Sequence, residues 1–175
     1  MGIFQISFLL ACLIGACWDF LFFKIPNEII IFIICLFLIK IALFELPLVD
    51  YKPFFCFVGA LLVGYGLYFF RIVGAGDVKL IAAVSLWTSQ INYFSFLFMM
   101  AVAGGVLSAL FYFFSPQLTA VRVLLLGKLE NTKLFGPISS EVNERLYEKE
   151  ASSKIVVPYG IAIFLGSLAT MMIEL

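Results

Sequence analysis

The chain has 175 residues, of which 64% are apolar and only 13% are charged, so its composition lies far from that of a soluble globular domain. The formal net charge is zero, so the overall charge predicts no nucleic-acid partner. The absence of histidine excludes Ser-His and Cys-His nucleophile pairs and most ordinary zinc sites. We therefore predict a membrane protein with no metal and no cofactor.

Six apolar runs follow one another along the chain. About 20 apolar residues are enough for a helix to cross a bilayer, and the fourth run is shorter than that. The predicted helices cover residues 3–23, 28–44, 54–70, 78–90, 91–114 and 155–173. We therefore predict an all-α, polytopic membrane protein that forms a single membrane-embedded domain over residues 1–175.

Residues 115–154 are predicted to form the one long loop, between the fifth and sixth helices. Its first half, residues 118–135, mixes apolar and basic side chains, a pattern typical of an amphipathic helix at the membrane interface.

The basic residues predict the orientation, because cytoplasmic loops carry an excess of lysine and arginine. Nine of the eleven lysines and arginines lie in or beside the first, third and fifth connections, whereas Lys40 and Lys52 lie nearer the opposite side. We therefore expect these three connections in the cytoplasm and both termini outside.

Two aspartates lie at ends of predicted helices. Asp19 is near the end of the first helix and Asp77 is at the start of the fourth, so parity predicts both at the same face of the membrane. A carboxylate at the edge of a bilayer is costly and is usually retained for function. Two structural alternatives remain open: Asp77 as an N-cap and Asp19 as a carboxylate paired with Lys24.

A pair of carboxylates at matching depth is suited to aspartic proteolysis. One ionised carboxylate removes a proton from water while the other, protonated, polarises the carbonyl group of the substrate. Which aspartate has which role stays open, because a coupled pair titrates as a unit.

Three sequence elements resemble the type IV prepilin peptidases, which include the archaellin-processing and Tad-pilus branches. Asp19 is followed six residues later by Ile25-Pro26-Asn27, similar to the first aspartate of that family and its loop. Gly74-Ala75-Gly76-Asp77 resembles the Gly-x-Gly-Asp signature that bears the second aspartate. Pro158-Tyr159-Gly160 is similar to an element at the start of the last helix of the family.

The resemblance implies an aspartic endopeptidase of the cytoplasmic (inner) membrane. Such an enzyme removes basic leaders from prepilin-like proteins at the cytoplasmic face, in type IV pilus assembly or protein secretion, and its partners are these substrates and membrane lipid. Members that also methylate the new N-terminus have paired cysteines in an additional portion. The four cysteines here form no Cys-x-x-Cys pair, so we expect the compact, peptidase-only branch.

The resemblance also implies the residues of the site. Asp19 and Asp77 are the expected catalytic residues, and Gly74 and Gly76 are expected to supply backbone conformations that other residues disfavour. The expected supporting residues are Pro26, Asn27, Gly74, Gly76, Lys79, Pro158, Tyr159 and Gly160.

Two other functions use the same features. A small transporter or proton pathway would also have aspartates within the membrane. A non-catalytic scaffold for pilus or secretion assembly would not require both acids.

Overall fold

The computed structural model describes residues 2–44, 51–130 and 157–173. These parts of the chain form six helices and contain no strand, which confirms the all-α class. The helices are α1 (Ile3–Phe22), α2 (Asn27–Phe44), α3 (Lys52–Phe69), α4 (Ala75–Thr88), α5 (Tyr93–Glu130) and α6 (Tyr159–Ile173).

Within the described residues, three segments are long and apolar enough to cross a membrane, namely Ile3–Phe22, Lys52–Phe69 and Tyr93–Phe114. Helix α6 is also apolar but has only 15 residues. The chain is a membrane protein with several candidate spans. The arrangement with six spans and both termini outside stays a prediction.

Helix α5 differs from its predicted form. It does not end at residue 114 but bends there, since Phe114 has non-helical dihedral angles (φ −114°, ψ 20°) within a helix that continues to Glu130. Residues 115–130 of the predicted loop are therefore helical, whereas residues 131–154 lie outside the described residues. The interfacial position of residues 118–135 remains a prediction.

Helix α4 is short and largely buried, and it packs against α3, α2 and α6. Its Trp87 stacks on Phe8 of α1, with ring centroids 4.7 Å apart, and its indole N–H donates a hydrogen bond of 3.2 Å to the carbonyl of Ile33 in α2. A buried tryptophan usually finds such a partner for its N–H group. Trp87 therefore anchors the C-terminal part of α4 to α1 and α2.

A cation also lies at that end of α4. Lys40 of α2 places its Nζ atom 5.2 Å from the Trp87 ring centroid and donates a hydrogen bond of 2.8 Å to Gln90 Oε1. A cation is stabilised both over an aromatic face and near a helix C-terminus. These contacts attach α2 to the end of α4 that is remote from Asp77.

Glycines allow close approach of neighbouring helices. A Cβ atom built on Gly166 of α6 would lie 2.9 Å from the backbone N and Cα of Met100 in α5. One built on Gly64 of α3 would lie 2.5 Å from Cγ1 of Val78 in α4. Small residues commonly permit this close packing between membrane helices.

Candidate active site

Asp19 is buried in the last turn of α1, with only 6% of its surface exposed. Its Oδ2 atom accepts a hydrogen bond of 2.8 Å from the backbone N–H of Gly160, in the first turn of α6. Phe23 ends α1 in the left-handed conformation (φ 51°), and its N–H donates to the carbonyl of Asp19. The end of one helix and the start of another therefore hold this carboxylate.

Gly160 is required there by space. A Cβ atom at this position would lie 2.9 Å from Asp19 Cβ and 3.0 Å from Asp19 Oδ2. The start of α6 also presents free backbone N–H groups and the positive end of the helix dipole to the carboxylate. A residue without a side chain lets α6 approach Asp19 closely enough to donate the hydrogen bond.

Asp77 is the third residue of α4, and the helix begins three residues earlier than predicted. The N-cap is Gly74, so the interpretation of Asp77 as the N-cap is wrong. The Asp77 carboxylate accepts a hydrogen bond from the backbone N–H of Gly74. This is the reach-back contact that an acidic residue makes from the third helical position, and it fixes the carboxylate at the start of α4.

The special backbone conformations expected of Gly74 and Gly76 are not observed. Gly74 has ordinary extended angles (φ −73°, ψ 148°), and Gly76 lies within α4 without a positive φ. The left-handed conformation occurs instead at Phe23 and Arg71. A Cβ atom at Gly74 would lie 2.9 Å from Asp77 Oδ2, so a side chain there would require the carboxylate to shift.

The two carboxylates line the same cleft. It has a volume of about 290 Å³ and lies where the α1–α2 connection meets the start of α4. Asp19 and Asp77 are close enough to interact electrostatically. The lining residues are Asp19, Phe23, Lys24, Ile25, Asn27, Gly74, Ala75, Gly76, Asp77 and Lys79.

The α1–α2 connection and the first residue of α2 contact α4 at one point each. Lys79 Nζ donates a hydrogen bond of 3.2 Å to Asn27 Oδ1. Ile25 lies against Gly76, where a Cβ atom would be 3.5 Å from Ile25 Cβ, an ordinary contact distance. Asn27, Gly76 and Lys79, which the sequence predicts as supporting residues, therefore all lie at the cleft.

Of the other predicted supporting residues, Gly74 also lines the cleft, whereas Pro26, Pro158, Tyr159 and Gly160 are not among its lining residues. Pro158 is buried just before α6. Tyr159 places its ring edge against Gly104 of α5. Gly160 reaches the site through its N–H group alone.

Sequence reasoning did not select four of the lining residues as site residues: Phe23, Lys24, Ile25 and Ala75. Ile25 and Ala75 lie within motifs that carry the resemblance, and Phe23 and Lys24 directly precede one, so taking each whole motif with its neighbours would have found them. The two carboxylates form a chemically useful pair, because one can accept a proton while the other, protonated, donates a hydrogen bond. Within the residues that the structure describes, no three His, Cys, Asp or Glu side chains form a possible metal site.

Comparison with known proteins identifies the family. The sequence model of the type IV leader peptidase family matches residues 6–112, a range that includes both Asp19 and Asp77. No curated protein and no solved structure matched the chain. Since the family match spans more than half of the 175 residues, the protein belongs to the type IV leader peptidase family and is a peptidase of the membrane.

Proposed function

We propose that the protein is an aspartic endopeptidase that removes the basic leader from prepilin-like proteins, with Asp19 and Asp77 as its catalytic pair. The observation that carries this proposal is the placement of both carboxylates on one cleft, each accepting a hydrogen bond from a backbone N–H group. Family membership supports peptide-bond hydrolysis as the reaction. The proposed mechanism needs no prosthetic group.

The pair acts with one shared proton. The ionised carboxylate removes a proton from a water molecule as the water oxygen bonds to the scissile carbonyl carbon. The protonated carboxylate donates a hydrogen bond to the carbonyl oxygen and stabilises the charge that develops there. Collapse of the tetrahedral intermediate breaks the C–N bond, and the proton taken from water passes to the leaving amine.

The proposed location is the cytoplasmic face of the inner membrane. The cleft lies between the first and third connections of the helices, and these connections contain the exposed cations Lys24 and Arg71. An excess of basic residues is typical of cytoplasmic loops. A substrate leader that stays in the cytoplasm would reach the cleft from that side.

The distribution of buried polar groups gives no support to a proton pathway. Among the described residues, Asp19 is buried together with five hydroxyl groups, all of which donate to carbonyls of their own helix. Hydroxyls bonded in this way use their donor within their own helix and form no chain of hydrogen bonds between helices. They are Ser85, Thr88, Ser89, Ser167 and Thr170.

The test is co-expression of the protein with a prepilin-like substrate that has a basic leader. We expect Asp19→Asn and Asp77→Asn each to reduce leader removal at least 1,000-fold, because neither variant retains a pair that shares one proton. Leader removal is measured by the mobility shift of the substrate, and the amount of each variant in the membrane is measured alongside it.

The matched control is Glu28→Gln, which makes the same acid-to-amide change at an exposed carboxylate outside the cleft. It should cleave at the wild-type rate. Normal cleavage by either aspartate variant would contradict the two-aspartate mechanism and would favour a scaffold.

A further inference from the structure

The helices that bear the two carboxylates pack mainly against other helices. α1 packs on α6 and α2, whereas α4 packs on α3, α2 and α6. Trp87 and α2 join α1 to α4 away from the cleft, so near the cleft the separation of Asp19 and Asp77 depends on the parts of the chain that bridge the two helices there. One bridge is α6, which holds Asp19 through Gly160.

The other bridge is the α1–α2 connection. Residues 23–26 join the end of α1, one turn beyond Asp19, to Asn27 at the start of α2. From that position the Asn27 side chain accepts the hydrogen bond from Lys79, which lies two residues after Asp77 in α4. Ile25 contacts Gly76 beside this bond. The bridge therefore runs from the end of the helix that bears Asp19 to the first turns of the helix that bears Asp77.

The residue types suit this contact. The lysine side chain is long and flexible, with three donors at its end, so it can reach from α4 across the edge of the cleft. The amide of asparagine accepts the hydrogen bond without adding a third negative charge to a cleft that already holds two carboxylates.

We propose that Lys79 and Asn27 form a latch that holds the α1–α2 connection against α4 and so sets the distance between Asp19 and Asp77. This inference rests on the proposed function. Lys79 and Asn27 are positioning residues in it, because they act through the carboxylates and not on the substrate. The latch keeps the pair at the spacing that proton sharing requires, and a misplacement of about 1 Å can cost a hundredfold in rate.

The test is a double-mutant cycle on leader removal with purified, full-length protein in lipid vesicles. Lys79→Met removes the donor at nearly constant length, and Asn27→Leu removes the acceptor at nearly constant size. We expect each variant to lower kcat about tenfold with KM changed less than twofold, as for loss of one charge-assisted hydrogen bond. The double variant should also fall about tenfold, because the second change removes nothing further.

Two comparisons separate the latch from general effects of charge and structure. Lys79→Arg keeps a donor and should retain at least a third of the wild-type kcat. Arg71→Met removes a nearby exposed cation that does not line the cleft, and it should cleave at the wild-type rate. If the losses in kcat multiply, so that the double variant falls about a hundredfold, the latch is overturned. A change confined to KM would also overturn it.

A tether provides a measurement that does not depend on wild-type cleavage. In Asn27→Cys/Lys79→Cys, a short bifunctional thiol reagent should join the two helices within the native membrane protein, and a failure to cross-link would overturn the latch. Where wild type cleaves and both Asp→Asn variants do not, the tether should raise kcat above that of the unlinked protein. Cleavage by wild type but by neither Asp→Asn variant, together with losses of the two single latch variants that multiply in the double variant, would reject the latch. The proposed function would then still stand.

Discussion

At the scale of single residues, both carboxylates depend on glycines that leave room for a backbone N–H group to approach. Gly74 donates to Asp77 and Gly160 donates to Asp19, and a side chain at either glycine would lie within 3.0 Å of an Oδ2 atom. A backbone donor has no rotamers of its own, so these contacts hold the carboxylates more rigidly than a side-chain partner would. The glycines therefore act by leaving room for the backbone N–H groups and not by adopting unusual dihedral angles.

We expect Gly160→Ala to lower the rate of leader removal at least tenfold while the protein still inserts. The added methyl group would contact Asp19 Cβ and Oδ2 at once, so either the carboxylate or the start of α6 must move. The measurement is the cleavage rate of the prepilin-like substrate at equal amounts of membrane-inserted enzyme.

The control for that change is Gly105→Ala in α5, where a Cβ atom would meet nothing within 4 Å. It should cleave at the wild-type rate. Wild-type cleavage by Gly160→Ala would show that the contact with Asp19 has no part in catalysis.

The contribution of α6 to the site was only partly readable from the sequence. Parity predicts that Asp19 and Asp77 share a face of the membrane, and the structure places them on one cleft. Gly160 lies 141 positions from Asp19, so its direct hydrogen bond follows from the packing of α6 on α1 and not from spacing along the chain. Tyr159 belongs to the same sequence motif, yet its ring lies against α5.

At the scale of helices, α4 combines a short length with burial on nearly all sides. Residues 82–88 of α4 are all buried, and Trp87 attaches that end to α1 and α2. A helix that is apolar all round is typical of a position inside a bundle. Its N-terminal turn, with Asp77, therefore projects from a rigid base toward the cleft.

The close contact of α6 with α5 leads to a prediction about stability. Gly166→Ala should lower the free energy of unfolding by about 1–3 kcal/mol, because the added methyl group would meet the backbone of Met100, which cannot rotate away. The effect is measured as the thermal unfolding midpoint of the purified protein in detergent.

Gly59→Ala in α3 provides the comparison, since a Cβ atom there would meet nothing within 4 Å. It should be neutral or slightly stabilising, because alanine has the higher helix propensity. Equal midpoints for Gly166→Ala and Gly59→Ala would contradict the packing argument.

At the scale of the whole molecule, the proposed orientation places the cleft in the cytoplasm. The prediction uses two separate variants, Arg71→Cys and Lys52→Cys, whose positions lie at opposite ends of α3. In intact cells a membrane-impermeant maleimide should label the Lys52→Cys variant only, because the basic connections are expected inside. Labelling of the Arg71→Cys variant alone would reverse the orientation and contradict the proposed location.

The wild-type protein is the background for this measurement. Its four cysteines are free and lie within the apolar helices α1, α2 and α3, where a charged reagent has no aqueous access. We expect it to remain unlabelled from either side of the membrane.

The sequence by itself determined the membrane class, the helical fold and the two aspartates, because these depend on composition, on the length of apolar runs and on local motifs. It placed every helix start within four residues of its position in the structure, and it placed the start of α4 three residues late. That small error changed the role of Asp77 from N-cap to third helical residue, since a helix start depends on which backbone groups find partners.

Only the tertiary structure decided how the carboxylates are held. The Gly160 hydrogen bond to Asp19 and the Lys79 hydrogen bond to Asn27 join residues that are 141 and 52 positions apart. The physical reason is that helices in a membrane associate through close packing and polar contacts between surfaces whose pairing the local pattern does not specify. Local signals therefore select the two candidate aspartates, and the packing of α6 and the α1–α2 connection on their neighbours sets the geometry of the cleft.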